Sequence, residues 1–102
     1  MPNEREERQR ESEVLNEIEP PKRYLVLLHN DHYTTWAFVV EVLERIFKKT
    51  RAEAEQITAK VHNEGFGVCG EYSLEIAQMK VAQTHALAKA NEFPLQCSIQ
   101  EV

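Results

Sequence analysis

No stretch of this 102-residue chain approaches the roughly 18 consecutive apolar residues that a membrane-spanning helix needs, so none is expected. The opening residues MPNEREERQRESEVLNEIEPP hold no apolar run, which speaks against a secretory signal, and their wealth of acid speaks against an organelle transit peptide. A cytoplasmic protein is the expectation. Basic charge is also in short supply. Twelve Lys and Arg face 17 Asp and Glu for a net charge of −5, and no basic stripe occurs, so nucleic acid is not expected as a partner. Cysteine is limited to Cys69 and Cys97, neither in a CxxC nor a zinc spacing. In a reducing compartment they read as two buried free thiols rather than a disulfide. There is no GxSxG elbow, and both cysteines fall inside apparent strands, so no activated nucleophile and no enzyme is expected. His29 and His32 share a loop and could begin a metal site with His62, but no fourth ligand offers itself. Neither a metal nor another cofactor is anticipated.

What remains is one small domain and an extension. Hydrophobic residues make up 42% and charged residues 28%, ordinary values for a globular domain. A chain of this size buries only about 60% of its unfolded surface, which implies a single small core. The charge is uneven. Residues 1–19 hold seven Glu and three Arg, whereas the remainder is nearly neutral. The extension has Met1, Val14, Leu15 and Ile18 as its only bulky apolar residues and cannot offset its ordering entropy by burial. Residues 1–21 are therefore expected to be a disordered acidic extension when alone, with Pro20-Pro21 marking the boundary to a folded domain over 22–102.

Within that domain Tyr24-Leu25-Val26-Leu27-Leu28 reads as a buried strand that runs into the turn-prone His29-Asn30-Asp31-His32. Thr34 or Thr35 caps a helix whose apolar face carries Trp36, Val39, Val40, Leu43, Ile46 and Phe47, and which is expected to end at Lys48-Lys49. Thr50-Arg51-Ala52-Glu53 is a capping box for a second helix, and Gly65 suits its left-handed end. Phe66–Gly70 reads as a short strand with a turn behind it. Ser73 caps a third helix over 74–90 that Pro94 stops, and residues 95–102 alternate as a last strand. The order β-α-α-β-α-β predicts an α+β domain, a three-stranded antiparallel sheet with three helices packed on one face.

Asn30, Asp31 and His32 sit at a strand end before a helix, and His62 sits in the last turn of the second helix. If these ends meet, they form a cluster of hydrogen-bond acceptors beside apolar walls. A peptide's α-ammonium offers three donors, and its first side chain offers an apolar body, so such a cluster suits a free N-terminus. The plain alternatives are a turn with a helix cap for Asn30-Asp31 and a dipole partner for His62.

A resemblance takes the reading further. Pro20-Pro21-x-x-Tyr24, Asn30-Asp31-x-Tyr33-Thr34, Phe38-Val39-x-x-Val42-Leu43, Val61-His62-x-x-Gly65, Val68-Cys69-Gly70, Lys80-Val81-Ala82 and Asn91-Glu92-x-Pro94-Leu95-x-Cys97 occur in order and together resemble the ClpS family. The resemblance implies an adaptor of the N-end rule pathway. Such a protein binds the free α-amine and bulky hydrophobic first residue of a substrate, docks on the N-terminal domain of a Clp AAA+ unfoldase (ClpA or ClpC) and delivers the substrate to ClpP. Its flexible N-terminal extension takes part in the handover. Carried over by position, the α-amine site comprises Asn30, Asp31, His32 and His62, with His32 standing where the family usually has a second acid. The hydrophobic pocket comprises Leu28, Thr34, Trp36, Thr58, Val61 and Leu95, with Trp36 and Thr58 in place of two family methionines. Glu75 and Lys80 occupy the unfoldase-docking positions. The alternative is a regulator that docks on a Clp ATPase and blocks or redirects it without reading N-termini.

Overall fold

The computed structural model describes residues 20–102. The acidic extension over residues 1–19 lies outside them. Six elements follow in the expected order: β1 (Tyr24–His29), α1 (Trp36–Arg45), α2 (Arg51–Glu64), β2 (Phe66–Tyr72), α3 (Leu74–Ala90) and β3 (Gln96–Glu101). The sheet order is β2-β1-β3, with both pairings antiparallel. The most apolar strand thus takes the centre, where both edges are paired. Val26 and Leu28 point from it into a core completed by Phe38, Val40, Val42, Leu43 and Ala77 of the helices and by Cys69 and Cys97 of the flanking strands. The opposite face is left open, and Phe66 and Val68 are about half exposed there.

The helix starts follow the sequence signals. Thr35 Oγ1 accepts the Phe38 amide, Ser73 Oγ accepts the Ile76 amide, and Thr50 and Glu53 exchange both bonds of a capping box. Gly65 closes α2 at φ 92°, a left-handed conformation that glycine adopts without steric cost. The end of α1 departs from expectation. α1 stops at Arg45 rather than Lys48-Lys49, because Lys48 adopts φ 55° and the Lys49 amide reaches back to the Leu43 carbonyl. This closure swings Phe47 into the core beside Tyr72. α3 ends at Ala90, as expected, ahead of Pro94. Asn91 caps it, Glu92 takes φ 60°, and the Phe93 amide bonds to Ala88 O, which lays Phe93 against Phe38 with ring centroids 4.7 Å apart. Non-glycine residues occupy both left-handed positions, so the sequence carried no glycine signal there.

β2 is longer than expected, running on through Glu71 and Tyr72 to the Ser73 cap without an intervening turn. Its pairing with β1 slips between Val26↔Gly70 and Leu27↔Val68, which leaves Cys69 as the extra residue of a bulge. Cys69 and Cys97 are both free and buried, as expected. Burial pushes the Cys69 thiol up beyond the usual range and the Cys97 thiol up to about 11. Among the described residues no helix is long and apolar enough to cross a membrane, and no three His, Cys, Asp or Glu side chains gather to hold a metal ion.

Candidate functional site

The two polar ends do meet. The Asn30 amide donates to the Gly65 carbonyl at 2.9 Å, which ties the exit of β1 to the end of α2 and sets Asn30 beside the last helical turn that carries His62. Between them lies a cavity of about 290 Å³ lined by Asn30, Asp31, His32, Thr34, Trp36, Val39, Thr58, Val61 and His62. It falls below the roughly 300–1,000 Å³ of sites for drug-sized ligands and suits a single side chain with its backbone amine.

The 30–34 loop is organised by Asp31. Its Oδ1 accepts the Tyr33 amide at 2.8 Å and the Thr34 amide at 2.6 Å, and its Oδ2 accepts the Thr34 hydroxyl at 2.7 Å. Partial burial works to raise the carboxyl. The Thr34 amide and hydroxyl, the Tyr33 amide and nearby His32 outweigh it, and the group is held below its ordinary value of 3.8. Asp31 is therefore an anion that fixes the loop and lends it negative charge. Asn30, His32 and His62, all exposed, are the side chains with acceptors to spare at the cavity mouth.

The walls come from the two helices. Trp36, the first residue of α1, is about half exposed and stands edge-on to the His62 ring with centroids 6.2 Å apart. Thr58 is buried, and its hydroxyl is spent on the Ala54 carbonyl at 2.7 Å, so it leaves no unmet donor in the wall. Val39 and Val61 complete the apolar surface. Val39 was missed at the sequence level, where it counted only as core. Its place one turn beyond Trp36 on the same helix face was the available signal. Of the residues assigned to the pocket by resemblance, Thr34, Trp36, Thr58 and Val61 line the cavity, whereas Leu28 and Leu95 do not. Leu28 is fully buried between Gly67 and Cys97 of the neighbouring strands, and Leu95 lines a separate cleft beside His85 and Phe93.

Glu75 and Lys80 lie on α3, away from the cavity. Glu75 is exposed in the first turn, where its charge complements the helix dipole. Lys80 is turned inward. Its Nζ donates to the Ile46 carbonyl at 2.7 Å and lies 5.8 Å and 5.5 Å from the ring centroids of Phe47 and Tyr72. The ammonium caps the C-terminal end of α1, a role that the spacing of the sequence did not disclose.

The chain matches the family model described as "ATP-dependent Clp protease adaptor protein ClpS" over residues 19–98. It is 51% identical to the ATP-dependent Clp protease adapter protein ClpS of Syntrophus aciditrophicus over 87 residues, covering 85% of this chain and 81% of that protein. It is 54% identical to the ClpS of Oleidesulfovibrio alaskensis over 86 residues, covering 84% and 83%. Among solved structures, ClpS2 of Agrobacterium tumefaciens bound to L-phenylalaninamide superimposes with a TM-score of 0.79 at 30% identity, covering 81% of this chain and all of that one.

Proposed function

This chain belongs to the ClpS family of Clp protease adaptors, which are not enzymes, and from that membership we propose that it is a cytoplasmic N-degron adaptor whose cavity reads the first residue of a substrate. The observation that carries the reading is the composition of one small cavity: acceptors from Asn30, His32 and His62 at the mouth, the Asp31 anion behind them, and Trp36, Val39, Thr58 and Val61 within. An α-ammonium donates three hydrogen bonds, and charge-assisted bonds are worth about 1.5–3 kcal/mol each. Burying a Leu or Phe side chain adds about 1.5–3 kcal/mol. Neither contribution alone gives useful affinity, so the site selects both a free amine and a bulky first side chain. The L-phenylalaninamide bound to the Agrobacterium relative, a free amine on a benzyl side chain, supports this reading.

In the same proposal the adaptor docks through the α3 surface around Glu75 on the N-terminal domain of a ClpA- or ClpC-type unfoldase, which passes the substrate to ClpP. Removal of residues 1–19 then leaves peptide affinity intact and impairs delivery. The direct test is titration with Leu- and Phe-starting peptides, free and N-acetylated. The free peptides are expected to bind and the acetylated ones to fail. Equal binding of both, or binding of neither, would remove the N-terminus reading and favour an unfoldase-docking regulator.

A further inference from the structure

A second concavity, larger than the first, shares none of its lining residues. It is a groove of about 610 Å³ between the end of α1 and the outer side of α3. Its floor is apolar, with Ile46, Met79, Ala86, Leu87 and Ala90, and its charged lining residues are all cations: Arg45, Lys48 and Lys80. On a chain of net charge −5 this is a local excess of positive charge with no acid in the lining. Arg45 is shared with Glu41 at 2.9 Å and Lys80 with the Ile46 carbonyl, which leaves exposed Lys48 as the most accessible of the three.

From this groove we infer an intramolecular partner, the segment of residues 11–19. Three observations commit the groove to that occupant. The first is charge. Residues 1–10 balance three Glu against three Arg, whereas Glu11, Glu13, Glu17 and Glu19 have no basic residue among them. The second is apolar content. Val14, Leu15 and Ile18 interleave with those acids, so the segment offers both chemistries that the groove presents. The third is attachment. The segment joins the domain at Pro20-Pro21, before β1, and Tyr24 at the head of β1 pairs with Tyr72. The Tyr72 ring lies 5.5 Å from Lys80 Nζ and 6.4 Å from the Phe47 ring, so the segment enters at the end of β1 nearest Lys80, a lining residue of the groove. The N-terminus-reading cavity lies at the far end of β1, about 17 Å away at 3.4 Å per residue. Five extended residues reach at most about 18 Å, which sets how far from the boundary Val14 and Leu15 can lie.

Docking there covers Lys80 and the outer side of α3. If the unfoldase uses the α3 surface as proposed above, the extension and the unfoldase compete for it, and binding of the unfoldase frees the extension for handover. That consequence rests on the proposed docking surface, whereas the contact itself does not.

The test uses the full chain. The native thiols are buried and pushed upward, so Ser12→Cys provides one reactive thiol for a nitroxide label. The label is expected to broaden the amide signals of Lys48, Gln83 and Leu87 several-fold more than those of Asn30, Thr58 and His62. The difference should fade in 1 M salt, where the screening length is about 3 Å. Lys48→Glu should reduce the difference at low salt while the core amide signals of Val40 and Val42 stay in place. Uniform broadening, broadening centred on Leu27 and Val68 of the open sheet face, or indifference to both salt and Lys48→Glu would overturn the inference. So would groove broadening that appears in full only when labelled chains are mixed with separate isotope-enriched ones, since the occupant is then a second copy.

Discussion

Gly67 on β2 and Val61 on α2 share one space: a Cβ at Gly67 would lie 2.8 Å from Val61 Cγ2 and 3.2 Å from the Ile57 carbonyl. The backbone of α2 can approach the sheet this closely only because position 67 has no side chain. Val61 is a wall of the cavity, so the glycine sets the depth of the site from behind. Gly67→Ala is expected to push α2 outward, costing about 1–3 kcal/mol of stability and weakening binding of a Phe-starting peptide by tenfold or more. Denaturant melts together with peptide titration check both. Unchanged affinity would show that Val61 can yield without disturbing the cavity.

Lys80 is expected to matter to the fold itself. Lys80→Met keeps the apolar stem near Phe47 and Tyr72 but strands the Ile46 carbonyl at the end of α1. The loss should be about 1.5–3 kcal/mol, the value of a hydrogen bond to a charged group. Glu75→Gln, on an exposed side chain, should stay within about 0.5 kcal/mol of the parent. Thermal melts compare the two, and a Lys80→Met loss no larger than that of Glu75→Gln would show that the Ile46 carbonyl finds another donor.

Trp36 is expected to set the selectivity of the cavity mouth. An indole edge-on to His62 should leave room for Leu and aromatic side chains and oppose branching at Cβ. Val- and Ile-starting peptides should bind the parent at least tenfold more weakly than Phe. Trp36→Ala should narrow that gap while lowering Phe affinity. Peptide fluorescence-anisotropy titrations measure it, and equal binding of Val and Phe by the parent would refute the wall.

His32 stands exposed at the cavity mouth, where a carboxylate would attract an ammonium by charge as well as by a hydrogen bond. His32→Asp is expected to raise affinity for a free Leu or Phe N-terminus at neutral pH several-fold, read by peptide titration, and equal affinities would show that position 32 stands clear of the amine. The pH dependence expected of the loop comes from Asp31. Its carboxyl is held below 3.8, so the loop bonds it makes are present above that range and are lost only as pH falls through the lowered value.

The sequence alone determined the element order, the helix starts and the cysteine state, because these depend on local chemistry. A Thr or Ser before an apolar run, a Glu three residues after Thr50 and a glycine after the last turn of α2 act through bonds spanning a few residues. The polar lining of the cavity was likewise legible, since Asn30, Asp31 and His32 are contiguous and His62 closes a recognisable helix. The tertiary structure decided what depends on elements distant in the chain. It capped the end of α1 with an ammonium from 34 positions away, and it spent the Asp31 oxygens on the loop. It also brought Val39 to the cavity wall while leaving Leu28 and Leu95 elsewhere in the core. Apolar periodicity says that a side chain is covered, but which neighbour covers it is settled only when helix packs on sheet.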